Sequence, residues 1–211
     1  VFDPTGEALF HYAVHVPRGN TWPYVTNGDT AVFGDTSSWK FIWLMNGSKG
    51  SSESGVFDIC LPTHVGKGIM SLAGNDGGFT ADKFGNWWDW HGVNHITVAI
   101  EKSKTALEKN VGSLYWRTIN QAFKRREVSY SDRALQKTGV DVNFDRVKIP
   151  GWVRQSPEDG FNAIYDNIYV AVGANSKARI EITDRKDPAE ATFVILIPPL
   201  NWADDKVSFR V

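Results

Sequence analysis

Hydrophobic and polar positions alternate along much of this chain, with a period of two. Within residues 9–16, Phe10, Tyr12 and Val14 share one side, while His11, Ala13 and His15 share the other. Residues 94–101 repeat the pattern, with Ile96, Val98 and Ile100 set against His95, Thr97, Ala99 and Glu101. Such alternation marks a half-buried strand. Residues 39–45 instead carry aromatic and branched side chains on both sides, as a strand covered on two faces should. Further strands are predicted over 30–34, 56–61, 68–72, 113–120, 144–151, 163–173, 179–183, 192–197 and 207–211. Gly/Ser-rich and Gly/Asn/Asp-rich stretches at 46–55 and 73–78 separate some of them, and Pro62 stops another. Helical signals are confined to two short, charged segments, 102–110 and 129–137, and the second reads equally well as a loop.

Many strands at short spacing predict an all-β fold, a two-sheet antiparallel β-sandwich of the jelly-roll kind. The 211 residues suit a single domain over 1–211. A soft boundary at Ala174-Asn175-Ser176 leaves 176–211 as a candidate appended terminal β-segment. Its strands are too few to bury a core of their own, so we expect them within the same sandwich.

Composition narrows the function classes. Lys and Arg number 23 against 24 Asp and Glu, so no basic excess exists to bind a phosphate backbone, and nucleic acid is not expected as a partner. No run approaches the roughly 18 apolar residues of a membrane span. Cys60 is the only cysteine, which excludes an intramolecular disulfide and a thiolate zinc cluster; its strand-like setting predicts a small buried thiol. The chain opens at Val1 without a signal-like apolar stretch, which we read as a processed or trimmed piece.

Nine tryptophans are the strongest chemical signal, and three lie in Asn86-Trp87-Trp88-Asp89-Trp90-His91-Gly92. At a period of two, Trp88 and Trp90 point one way and Trp87 and Asp89 the other, so one strand cannot hide them all. Flat indole faces beside amides and carboxylates suit sugar rings, whose C–H groups stack while their hydroxyls need hydrogen bonds. The alternative is an aromatic corner plugging the end of the sandwich.

Three stretches carry a family resemblance. Residues 88–98, opening on Trp88-Asp89-Trp90, resemble the tryptophan-led strand that crosses the sheet centre in the concanavalin A-like, laminin-G-like jelly rolls. Gly112-Ser113-Leu114-Tyr115-Trp116-Arg117-Thr118-Ile119-Asn120 resembles the Gly-led aromatic strand that follows. Ile164-Tyr165-Asp166-Asn167-Ile168-Tyr169-Val170 resembles a late strand of the same superfamily, and the resemblance spans about residues 8–173. The superfamily includes lectins, carbohydrate-binding modules, glycanases and polysaccharide lyases. The resemblance therefore implies a jelly-roll fold and a polysaccharide or oligosaccharide partner. Residues 198–207 are similar to the edge of tandem extracellular β-domains, implying a larger multidomain protein outside the cell or at its surface.

Departures limit the chemistry. The Glu-x-Asp-x-x-Glu strand of the glycanases is absent, and Glu101 and Glu181 each stand alone on their strands, so a retaining glycosidase is not supported. The Arg-Thr-Glu-Leu-Arg and Gln-Ile-His signatures of alginate lyases are also missing. A lyase must neutralise a uronate carboxylate, remove the C5 proton and protonate the leaving oxygen, and Arg, His and Tyr supply those roles. His95, Tyr115 and Arg117 would form such a site if neighbouring strands placed them on one face, and His11, His15, Lys40, Tyr165 and Tyr169 add suitable types. Without such a meeting, His95 would bond a loop and Arg117 a surface carboxylate.

His91 and His95 are about 13 Å apart on a strand, too far to share a zinc ion. No cofactor is required by either reading. The resemblance allows a structural calcium ion, and Asn75-Asp76-Gly77-Gly78 and Asn27-Gly28-Asp29 are oxygen-rich turns, although such turns also arise for backbone reasons. Lys124, Arg125 and Arg126 read as a solvated face that could help hold an acidic polymer.

Three readings follow. The first is an extracellular carbohydrate-binding module in which Trp87, Trp88, Trp90 and Trp116 stack on sugars while Arg117, Asn120, Asp89 and Asn94 supply hydrogen bonds. The second is a polysaccharide lyase cleaving a uronate-containing glycan by β-elimination through His95, Tyr115 and Arg117. The third is a structural or adhesion module of a larger surface protein.

Overall fold

The computed structural model describes residues 7–15, 26–27, 30–31, 38–45, 57–61, 71–74, 82–83, 87, 89, 92–101, 112–133, 146–148, 152–154, 164–173, 175–203 and 205–210. In chain order the strands are β1 (Glu7–His15), β2 (Thr26–Asn27), β3 (Thr30–Ala31), β4 (Ser38–Met45), β5 (Phe57–Leu61) and β6 (Ser71–Gly74). There follow β7 (Asp82–Lys83), β8 (Asn94–Glu101), β9 (Gly112–Asn120), β10 (Lys124–Arg133), β11 (Arg146–Lys148) and β12 (Trp152–Arg154). The chain continues through β13 (Ile164–Val172), β14 (Ile180–Thr183), a 3-10 turn at Pro188–Glu190, β15 (Val194–Ile197), β16 (Asn201–Trp202) and β17 (Val207–Ser208).

All described strand pairings are antiparallel. One sheet runs β10-β9-β8-β1-β13, and a second runs β11-β4-β5-β6-β7 with β12 also paired to β4. The fold is the expected all-β sandwich. One helical expectation is corrected: residues 129–133 complete β10, because Glu127, Val128 and Ser129 pair in register with Arg117, Trp116 and Tyr115, and that ladder overrides the local charge density. The other helical segment, 102–110, and the two oxygen-rich turns lie outside the described residues, apart from the strand end Asn27. Cys60 lies on β5 opposite Ser71 and Lys40, and its side chain lies outside the described residues.

The period of two sorts the five-stranded sheet into two unlike faces. Phe10, Tyr12, Val14, Ile96, Val98, Ile100 and Trp116 are fully buried on one, as the inner face of a two-layer sandwich must be. The other face carries His11, His95, Thr97, Tyr115 and Arg117 among Leu9, Ala99 and Ile119. It is covered by the segment that follows β13. Strands β14 and β15 pair with each other rather than with either large sheet, and β16 and β17 form a second hairpin. Ala191, Val194 and Leu196 pack on Leu9, Ala99 and Ile119, with Tyr115 and Tyr169 at the margin. The terminal strands thus lie over the sheet instead of joining its ladder.

Two local devices hold the sheet in register. The β9–β10 hairpin turns through 121–123 with Lys124 at φ 58°, and Asn120 Oδ1 accepts the Phe123 N–H at 2.8 Å. A left-handed residue closing a three-residue loop matches the twist of the strands it joins. Between β1 and β13 the register shifts at His11/Ala13, and Asn167 takes φ 50° there, a conformation asparagine tolerates better than most residues.

Candidate functional site

The cross-strand register assembles one polar row. Tyr169, His11, Thr97, Arg117 and Glu127 lie directly opposite one another on β13, β1, β8, β9 and β10. The row on one side reads Asp166, Ala13, His95, Ile119 and Arg125. On the other side Leu9, Ala99 and Tyr115 are opposed. Side chains two apart along a strand share a face about 7 Å apart. His95, Tyr115 and Arg117 therefore occupy one face of neighbouring strands, and His11 joins them.

The row is bonded along its length. Glu181 Oε2 on β14 accepts from Arg117 Nη1 at 2.6 Å, and Arg117 Nη2 donates to Thr97 Oγ1 at 3.0 Å. Thr97 Oγ1 lies 2.9 Å from His11 Nδ1. The His11 and His95 rings stack with centroids 6.2 Å apart, and Phe193 meets His95 edge-on at 4.7 Å. Arg179 Nε donates to the other Glu181 oxygen at 2.5 Å. Tyr115 donates its hydroxyl to Glu127 Oε2 at 2.7 Å, where Arg125 also donates.

Burial sets the protonation states. His11, His95 and Arg117 are each 1% exposed. Desolvation, helped by the neighbouring His95 and Arg117, lowers the His11 pKa to about 3. Desolvation also lowers His95 to about 4, against the opposing pull of Asp184 and Asp166. Both imidazoles are neutral at pH 7, so they accept protons rather than carry charge. Burial and the bond to Glu127 raise the Tyr115 pKa, which keeps the phenol protonated. Glu181 is held below the usual carboxylate range: burial pushes it up, but the bond and charge of Arg117 and the charge of Arg179 outweigh that.

Three buried polar atoms here have no hydrogen-bond partner: His11 Nε2, His95 Nδ1 and Arg117 Nε. Such orphans are few in native interiors, and each calls for an explanation.

The expected sugar-stacking set has a different fate. Trp116 is fully buried on the inner face and donates Nε1–H to Thr118 Oγ1 at 2.9 Å, so its indole has no face left for a sugar. Asp89, Asn94 and Asn120 are also buried and form a knot. Asn94 Oδ1 accepts from the Asp89 N–H at 2.8 Å and from Asn120 Nδ2 at 2.9 Å, and Asn94 Nδ2 returns a bond to the Asp89 carbonyl. Asn120 Nδ2 also donates to the Trp87 carbonyl at 2.7 Å. The surface role expected of these three is corrected, because their polar groups bond one another. Trp87 is half-buried, while Trp88, Trp90 and His91 lie outside the described residues.

Alternation placed His11, His95 and Arg117 on outward faces and Thr97 on the side of His95, but Glu181 was not joined to them. Glu181 is 64 positions from Arg117, and no local pattern signals that contact. Among the described residues no group of three or more His, Cys, Asp or Glu could hold a metal ion. No described helix is long and apolar enough to cross a membrane.

No family model and no curated protein matches the chain. Two solved structures are similar. The alginate lyase vAL-1 from Chlorella virus is 12% identical over 80% of this chain and 72% of its own, with a TM-score of 0.49. The marine PL-14 alginate lyase from Aplysia kurodai is 11% identical over 82% of this chain and 72% of its own, with a TM-score of 0.44. A likeness this distant assigns neither activity nor substrate.

Proposed function

We propose that the polar face of the five-stranded sheet acts on an acidic, uronate-containing polysaccharide by β-elimination. Support comes from one observation above all: His11, His95 and Arg117 converge on a single sheet face, and each keeps a buried polar atom without a partner. Arg117 already holds a carboxylate, and its planar fork suits that group. Bound in that place, a uronate would have its charge neutralised and its C5 proton made more acidic. The neutral His95 imidazole would take that proton, with His11 stacked against it as a positioning residue. The freed electron pair would form the C4–C5 double bond as the C4–O4 bond breaks, and the Tyr115 phenol would protonate the departing O4. A polymer of this charge is an extracellular material, and an extracellular or surface setting belongs to the same proposal.

Non-catalytic carbohydrate binding is the second reading. Trp87 favours it, since that residue is only half-buried and stays partly open to a sugar. One experiment separates them. The purified chain is incubated with neutral and uronate polysaccharides while ultraviolet absorbance follows the unsaturated product and tryptophan fluorescence follows binding. Elimination predicts rising absorbance on a uronate polymer, with His95→Gln lowering kcat about 100-fold or more. Fluorescence change without absorbance selects the binding module, and silence across the panel removes both.

A further inference from the structure

The polar face is closed by a later part of the same chain. Glu181 takes Arg117 Nη1, and Phe193 stands against the His95 ring. Ala191, Val194 and Leu196 cover the apolar ground around them. Yet β14 and β15 pair with each other and with neither large sheet among the described strands. Ile182 and Phe193 remain 38% and 40% exposed, so the segment is wet along its outer edge. It rests on the sheet through side-chain packing, the Glu181–Arg117 ion pair and a bond between the Val194 backbone and His95, and it can lift without breaking a described ladder.

We propose that residues 180–197 are an intramolecular stand-in for substrate: Glu181 occupies on Arg117 the place of a uronate carboxylate, and displacement of this hairpin admits the glycan. The proposal rests on the reading of this face as an acidic-glycan site and adds its control. A carboxylate on a planar guanidinium is the contact an acidic sugar would make, so the two ligands exclude each other. The orphaned His11 Nε2, His95 Nδ1 and Arg117 Nε lie beneath the cover, where an entering sugar would find them. Desolvation is the largest cause of the depressed His95 basicity, and lifting the cover returns the imidazole toward its ordinary range. One movement thus frees the guanidinium and readies the base. A tethered competitor acts at an effective concentration in the millimolar range and raises KM while leaving kcat in place.

The full chain and the variants Glu181→Gln and Phe193→Ala test this. KM and kcat are measured on a uronate polymer, and amide hydrogen exchange is followed with and without a uronate oligosaccharide. We expect KM to fall about ten-fold in Glu181→Gln, with kcat little changed. We also expect the oligosaccharide to speed exchange across 180–197 in the unsubstituted chain. Phe193→Ala loosens the same cover without unpairing Arg117, and it carries the test alone if Glu181→Gln does not fold. Turnover with KM unmoved in the folded variants, and exchange at 180–197 unaffected by the sugar, would overturn the stand-in and leave the site intact. Neither turnover nor binding in any form would remove the acidic-glycan reading and this inference with it.

Discussion

Asn94 shows how one side chain can hold a turn and two strands together. It receives the Asp89 N–H and the Asn120 amide, and it returns a bond to the Asp89 carbonyl. Gly92 completes the arrangement: its N–H reaches Asp89 Oδ1 at 3.1 Å, and a Cβ there would lie 2.6 Å from Asp89 Oδ2. Truncation at Asn94 leaves two buried donors and one buried acceptor with fewer partners. Asn94→Ala should therefore cost about 2–4 kcal/mol, read as a lower urea midpoint with an unchanged slope. The amides and carboxylate near the tryptophans were legible as a polar cluster. Their direction was not, because a sugar and a neighbouring turn ask for the same donors and acceptors.

At the scale of the strands, the two buried imidazoles make stability depend on pH. Each has a folded-state pKa below its unfolded value of 6.5, about 3 for His11 and about 4 for His95. The unfolded chain then binds more protons than the folded one as pH falls below 6.5. Their contribution is fully present above that value and is lost on acidification, by about 1.4 kcal/mol per pH unit for each histidine, down to its folded pKa. Glu181, held below its usual range, adds loss in the same direction at lower pH. Urea midpoints measured between pH 7 and pH 4 should fall steadily, and His11→Gln should make the fall shallower. The strands themselves were legible from alternation, including which side of β1 and β8 was polar. Register was not, and register makes a single row of His11, Thr97 and Arg117.

For the molecule as a whole, the segment after β13 decides what the polar face presents. Leu196 is 7% exposed and packs among Leu9, Ala99 and Ile119. Leu196→Ala should cost about 2–4 kcal/mol if the hairpin and sheet unfold as one unit. A smaller loss, with faster amide exchange confined to 180–197, would mark the hairpin as a separately opening unit, as a removable cover requires. Thermal unfolding together with amide exchange distinguishes the two. Beyond the cover, Leu200, Trp202 and Phe209 are exposed around the β16–β17 hairpin, so the last tryptophan does face solvent.

Side-chain alternation is a local property, imposed by the pleat of each strand, and the sequence by itself determined the strands, the all-β class and the polar character of one face. It also showed that His, Arg and Tyr were available for acid–base work. Tertiary structure alone decided that His11 and Arg117 share a row, that Trp116 turns inward, and that Glu181 closes the site. Those outcomes depend on contacts between distant segments, 86 positions apart for His11 and Thr97 and 64 for Arg117 and Glu181. Pairing energies between distant strands are set by the whole packed sheet, and no window of neighbouring residues contains them.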